Sequence, residues 1–271
     1  MSRILFLVVG LSMVFCEQRI FADDRTERTN VDEIDKLIMR LRSKDIKTRV
    51  KAAETLGDMG ENASPASEAL CEAITDQSPQ VATAALDAMQ KVRPDLYNPL
   101  STLILDKDKN KQAAAIVEFA LMGEKAAPVL PVLRAKLKTV LSKDVFGQGG
   151  LSRSSKACFD ALQQINPQDQ ETFKLLLFVA SPQSKNSAAK LEAITLLCII
   201  AGEDEACRKK ILPVLKGGLD DRSCLIKCME VLGEYGKLAK DALPQLKKLK
   251  LSSEETVRKA ANVAVDRIEN P

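Results

Sequence analysis

The 271-residue chain has no histidine and no tryptophan, and two tyrosines within an aromatic content of 4%. Without histidine there is no Ser-His-Asp or Cys-His triad, no HExxH zinc site and no imidazole acid–base chemistry. Sparse aromatics remove the stacking platforms that nucleic-acid binders use. An excess of one charge is also missing: 40 Lys plus Arg face 37 Asp plus Glu, giving +3. Setting aside residues 1–22, with Arg3, Arg19 and Glu17, leaves 38 against 36. The signs are interspersed, so no basic stripe points to a nucleic-acid partner. Beyond residue 22 no apolar run approaches the ~20 residues of a membrane span, and the mature chain is expected to have none.

What is present is alanine and leucine, the strongest apolar helix formers. The stretch Asp45–Gly60 (DIKTRVKAAETLGDMG) sets the theme: a capping Asp45, a small residue Ala52 one turn before Leu56, and a stop at Gly57 and Gly60. Aligned on Ala52, small residues recur at Ala85, Ala115, Cys158, Ala193, Cys228 and Ala261. Four residues after each comes a larger apolar one: Leu56, Met89, Phe119, Leu162, Leu197, Leu232 and Val265. Small rungs allow close helix approach and large ones fill the seam within a unit. A two-type ladder held over about seven units is the signature of a repeat array.

Asn30 with Glu33 predicts a capping box for the first helix, whose apolar stripe is Ile34, Leu37, Ile38 and Leu41. Ser252 with Glu255 predicts another before the last helix. Turns rich in Asp and Ser precede second helices at 76–79, 106–108 and 220–223, and Pro99, Pro131, Pro213 and Pro244 suit first turns of first helices.

Residues 1–22 read as a secretory signal: Arg3, a 12-residue apolar core (ILFLVVGLSMVF, Ile4–Phe15) and a permissive Ile20-Phe21-Ala22 site. Residues 23–30 are a charged, disordered lead-in. The expected location is therefore periplasmic or extracellular.

Arg49–Gly60 (RVKAAETLGDMG), Ile226–Gly236 (IKCMEVLGEYG) and Val257–Ile268 (VRKAANVAVDRI) resemble HEAT repeats, of the short HEAT-like type first noted in phycobilisome lyases. The resemblance spans roughly residues 31–269. It implies an all-α fold, a right-handed α-solenoid of antiparallel helix pairs with second helices lining the concave face. The middle units depart from the Leu-Gly signature, with Phe119-Ala120, Leu162-Gln163 and Leu197-Cys198.

Three features are candidates for function. The 43-residue spacing between Ala115 and Cys158 exposes an insertion, Ser142–Ser155 (SKDVFGQGGLSRSS). Its Phe146, Leu151 and Arg153 either form a partner-contact loop or tuck against a neighbouring repeat. Glycines there are not followed by Lys-Ser/Thr, so it is no phosphate loop. On the second helices, positions two, three and six after the rung are Glu54, Thr55 and Asp58, or Ala264 and Arg267, in the outer units. In the middle they are Val117, Leu121, Leu196 and Ile199, either an apolar binding patch or residues buried against their own first helices. Finally, a Cys198–Cys207 disulfide is sterically reasonable across one turn, while Cys158 and Cys228 fit small buried rungs. Cys224 and Cys228, one turn apart, are too few ligands for a good zinc site.

The resulting expectation is an exported, monomeric, non-catalytic scaffold for a protein or peptide partner, with no cofactor and no metal. The alternative is a bilin-lyase-like or other small-molecule-handling HEAT enzyme. Export and the few aromatics for clasping a tetrapyrrole argue against bilin chemistry. The His-Glu metal motifs of deoxyhypusine hydroxylases cannot exist in a His-free chain, and balanced charge argues against DNA-binding HEAT-like glycosylases.

Overall fold

The computed structural model describes residues 30–143, 151–184 and 186–270. The predicted signal segment, residues 1–22, and all of the predicted lead-in except residue 30 lie outside them. Residue 30 is already helical, so Asn30 is not the non-helical cap that the sequence predicts.

The described residues are helical and carry no strand. They form α1 (30–41), α2 (Ile46–Asp58), α3 (Ser67–Ile74), α4 (Pro79–Val92), α5 (Pro94–Leu105), α6 (Lys109–Met122) and α7 (Leu130–Lys143). These continue as α8 (Arg153–Ile165), α9 (Gln170–Ala180), α10 (Ser187–Ala201), α11 (Glu205–Gly218), α12 (Leu225–Glu234), α13 (Leu243–Leu249) and α14 (Glu255–Glu269). Odd-numbered helices are first members of successive pairs and even-numbered ones second members, giving the seven units of the ladder. The fold is an all-α helical-repeat solenoid.

Cα packing divides the chain into two units, Met1–Tyr97 and Asn98–Pro271. Within the first, α2 packs on α4 and α3 on α4. Within the second, α7 packs on α8, α9 on α10, α11 on α12 and α13 on α14, while α6–α8–α10–α12–α14 follow one another as neighbours. Every rung and every larger residue four positions on is buried.

Local chemistry explains the helix starts. Asp45, Asp108, Asp169, Asn186 and Asp204 each accept a hydrogen bond from a backbone N–H in the first turn they cap. The predicted Ser252–Glu255 box does not form: Glu254 is the N-cap without a side-chain bond, and Ser252 Oγ accepts from the Glu254 N–H instead. Pro131 and Pro244 do sit at the second residue of α7 and α13. Pro99 and Pro213 lie inside α5 and α11, contrary to the first-turn expectation.

Among the described residues three 3₁₀ segments join helices: Gly60–Ala66, Gly123–Val129 and Gly236–Ala242. Each ties a second helix to the next first helix. Their shared pattern, Gly followed by small residues at fourth and seventh positions, buries Ala63 and Ala66, Ala126 and Val129, Ala239 and Ala242. Gly60 and Gly236 start them at φ +58° and +52°, which an L side chain adopts only with strain.

The residue three before the rung clamps the turn. Arg49 donates through Nη1 to the Ser43 and Lys44 carbonyls at 2.8 and 3.2 Å, and its Nε and Nη2 face the Asp76 carboxylate at 2.8 and 2.9 Å. Arg258 Nη1 reaches the Ser252 and Ser253 carbonyls at 2.8 and 2.7 Å. At the same position Gln112 donates to the Asp106 carbonyl, and the buried Lys190 pairs with Asp221 of the next turn.

Candidate functional site

Two grooves between adjacent second helices are built alike. In the first unit α2 and α4 enclose about 720 Å³, lined by Glu54, Gly57, Asp58, Ala84, Asp87, Ala88 and Lys91 among others. In the second unit α12 and α14 enclose about 410 Å³, lined by Glu230, Gly233, Glu234, Ala260, Val263, Ala264 and Arg267. Counted from their rungs, these residues correspond one to one. Each groove has two acids four residues apart on one wall and a floor of glycine and alanine; the facing wall carries Lys91 with Asp87 in the first and Arg267 with Lys259 in the second.

The floor has a cause that the sequence signature hid. A Cβ built on Gly57 would stand 3.0 Å from Ala88 Cα, and one on Gly233 would stand 3.1 Å from Ala264 Cα. The same two added atoms would lie 3.8 Å from Lys91 Cδ and 3.5 Å from Arg267 Cδ. The first glycine of Leu-Gly-x-x-Gly therefore lies inside its helix and permits close approach; it does not stop the helix. Across the first groove Lys91 Nζ bonds Asp58 at 2.9 Å, while Glu54 and Asp87 stay exposed.

The predicted apolar patch is only partly a surface. Leu121 is 81% exposed, and Val117 and Ile199 are about half exposed, but Leu196 is 3% exposed and belongs to the core. The same position, three after the rung, is buried at Ala88, Ala161, Val231 and Ala264, whereas Glu118 of α6 is exposed there. Val117 and Leu121 share α6. Ile199 is on α10, and the intervening α8 presents Asp160 and Gln164 at the matching positions. The structure does not show these apolar residues as one patch.

Of the insertion residues, Phe146 lies outside the described residues. Leu151 is half-buried. Arg153 is not in a loop: it opens α8, capped by Ser152, and its exposed guanidinium reaches Asn110 Oδ1 on α6 at 3.2 Å. Ser154 and Ser155 are buried in the first turn of that helix.

The predicted Cys198–Cys207 disulfide is not formed; both are free, half-buried thiols with different neighbours. Burial raises the Cys198 pKa, opposed by Tyr235, whereas the Asp204 carboxylate raises that of Cys207. Cys71 and the rung Cys158 are fully buried, and desolvation pushes both thiols up to about 12. Arg208 lies over the Tyr235 ring at 5.1 Å and donates to the Gly202 carbonyl at 2.7 Å.

Among the described residues no group of three or more His, Cys, Asp or Glu side chains is arranged to hold a metal ion, and no helix is long and apolar enough to cross a membrane. No family model and no curated protein matches the sequence. Solved structures similar to this chain include two engineered proteins from the Northeast Structural Genomics Consortium. One is 19% identical, covering 88% of this chain and 99% of that chain at a TM-score of 0.35. The other is 21% identical, covering 87% and 68% at a TM-score of 0.38. A designed armadillo repeat protein is 18% identical, covering 86% and 98% at a TM-score of 0.22.

Proposed function

We propose that this chain is a non-catalytic HEAT-like scaffold, exported from the cytoplasm, that holds a protein or peptide along its second helices. The observation that supports this reading is the duplicated groove: Glu54, Asp58 and Lys91 in one unit, Glu230, Glu234 and Arg267 in the other, each over a floor of glycine and alanine. A floor of glycine and alanine lets a ligand backbone come close, and the charged walls select what it carries. The matching ligand presents a Lys or Arg to the paired acids and an acid to the facing base. Exposed Val117, Leu121 and Ile199 add apolar contact area.

A random peptide library displayed against the purified chain tests this. Peptides enriched on the native protein should carry basic residues, and the double reversal Glu54→Lys with Glu230→Lys should lower their binding by about tenfold or more, the loss of one charge-assisted contact. Both sites are exposed, so folding is preserved. Absence of enrichment, or enriched peptides indifferent to the reversal, would overturn the reading.

A further inference from the structure

The grooves make no use of Cys224 and Cys228, which the structure brings together with a third element. Cys224 is the N-cap of α12, and the Cys228 N–H donates to its carbonyl at 2.9 Å. Four helical rises separate the two Cα atoms by about 6 Å, within the roughly 4.4–6.8 Å that a disulfide spans. Both sulfurs converge on Gly218 at the end of α11. A Cβ there would lie 2.4 Å from Cys228 Sγ and 3.3 Å from Cys224 Sγ. Cys224 Sγ lies 3.7 Å from the Gly218 carbonyl and 3.8 Å from that of Asp221.

The two thiols are unequal. Their mutual hydrogen bond lowers the Cys224 pKa and raises that of Cys228. Burial and the Asp221 carboxylate oppose the thiolate at Cys224, while Lys190 and Ser223 favour it. Both side chains are buried, at 1% and 0% exposure. A cavity of about 480 Å³ is lined by Gly217 and Gly218 with Pro182, Lys190 and Asp221 among others, so Gly218 adjoins both this cavity and the two sulfurs.

We propose that Cys224 and Cys228 are a peroxide-sensitive dithiol that closes to an intrachain disulfide. The Cys224 thiolate attacks one oxygen of hydrogen peroxide; the O–O bond breaks and hydroxide leaves, becoming water on protonation. Cys224 is then a sulfenic acid. Cys228 sulfur attacks Cys224 sulfur, the S–O bond breaks, and the hydroxyl departs with the Cys228 proton as a second water. Two electrons pass from the sulfur pair to the peroxide, and a thiol reductant reverses the change.

The test exposes the folded full chain to hydrogen peroxide, alkylates the remaining thiols, and maps tryptic peptides by mass. Cleavage after Lys227 separates the two cysteines, so the disulfide appears as two joined peptides. The expected result is that joined pair, restored to two alkylated thiols by dithiothreitol, while the more exposed Cys198 and Cys207 still alkylate. In Cys228→Ser, dimedone should label Cys224. Oxidation of Cys198 or Cys207 with Cys224 and Cys228 both left alkylatable on unfolding would overturn the proposal. So would an unlabelled Cys224 in the folded Cys228→Ser chain.

Discussion

Gly57 of α2 and Ala88 of α4 approach so closely that a Cβ added to the glycine would lie 3.0 Å from the alanine Cα, with backbone rather than a flexible side chain in the way. Gly57→Val should therefore overpack the seam and cost about 1–3 kcal/mol. Gly57→Ala should lose less, because up to about 1 kcal/mol of helix propensity opposes the clash. At Gly60 the balance is reversed: there is open space but φ is +58°, so alanine loses about 1–2 kcal/mol through backbone strain alone. Urea denaturation of the three variants checks the contrast. A valine variant as stable as the parent would mean that α2 and α4 can part without loss.

Leu121 and Leu196 occupy neighbouring registers of second helices yet differ from 81% to 3% exposure. Leu121→Asp should shift stability by no more than about 0.5 kcal/mol. Leu196→Asp removes a core side chain and buries a carboxylate, and should cost several kcal/mol, on the order of 3–5. Thermal unfolding of both reads this directly; similar melting temperatures would contradict the burial of Leu196.

Ala193 is a fully buried rung on α10. Ala193→Leu should lower stability by about 1–3 kcal/mol, whereas Thr83→Leu at an exposed position should not. An unchanged melting temperature for Ala193→Leu would show that the rung is not where the helices meet.

Asp221 carries a pH signature. Burial works to raise its pKa, but hydrogen bonds from Lys190, Ser223 and the Ser223 backbone outweigh it and hold the carboxyl at about 2. An unfolded aspartate titrates near ~3.9. Because the folded value is depressed, the stabilisation is full above about pH 4 and is lost as pH falls towards 2, an effect on the order of 2 kcal/mol. Denaturation from pH 6 to 2 should show the gap between the parent and Asp221→Asn closing in that window. A gap constant with pH would remove the ion pair with Lys190 from the account.

The ladder was legible because burial on one helix face imposes a period, and Ala52 with Leu56 through Ala261 with Val265 keep it. The outward face was less legible for a physical reason. In α10, Ser187–Ala201, apolar residues run all round the helix, so periodicity cannot tell Leu196, turned to the core, from Ile199, turned to solvent. The paired grooves could have been found by aligning Glu54-x-x-Gly57-Asp58 with Glu230-x-x-Gly233-Glu234. The obstacle was reading the first glycine as punctuation when its value is the missing Cβ. The 3₁₀ connectors had a signal too, Gly-x-x-Ala-x-x-Ala or Val, but it is short and lacks the apolar mass that draws notice. Cys198 and Cys207 were paired by chain proximity; in three dimensions one neighbours Tyr235 and the other Asp204.

The Gly57–Ala88 and Gly233–Ala264 seams differ mechanically from the step between α10 and α12, where the corresponding residue is Cys198. Backbone pressed on a methyl has no rotamer to change, so those two steps resist bending and behave as stiff joints. A thiol beside Tyr235 can swing aside, leaving a compliant joint between them in the sequence. Strain placed on the second unit should therefore be taken up around α10 and α12 before it opens the groove between α12 and α14.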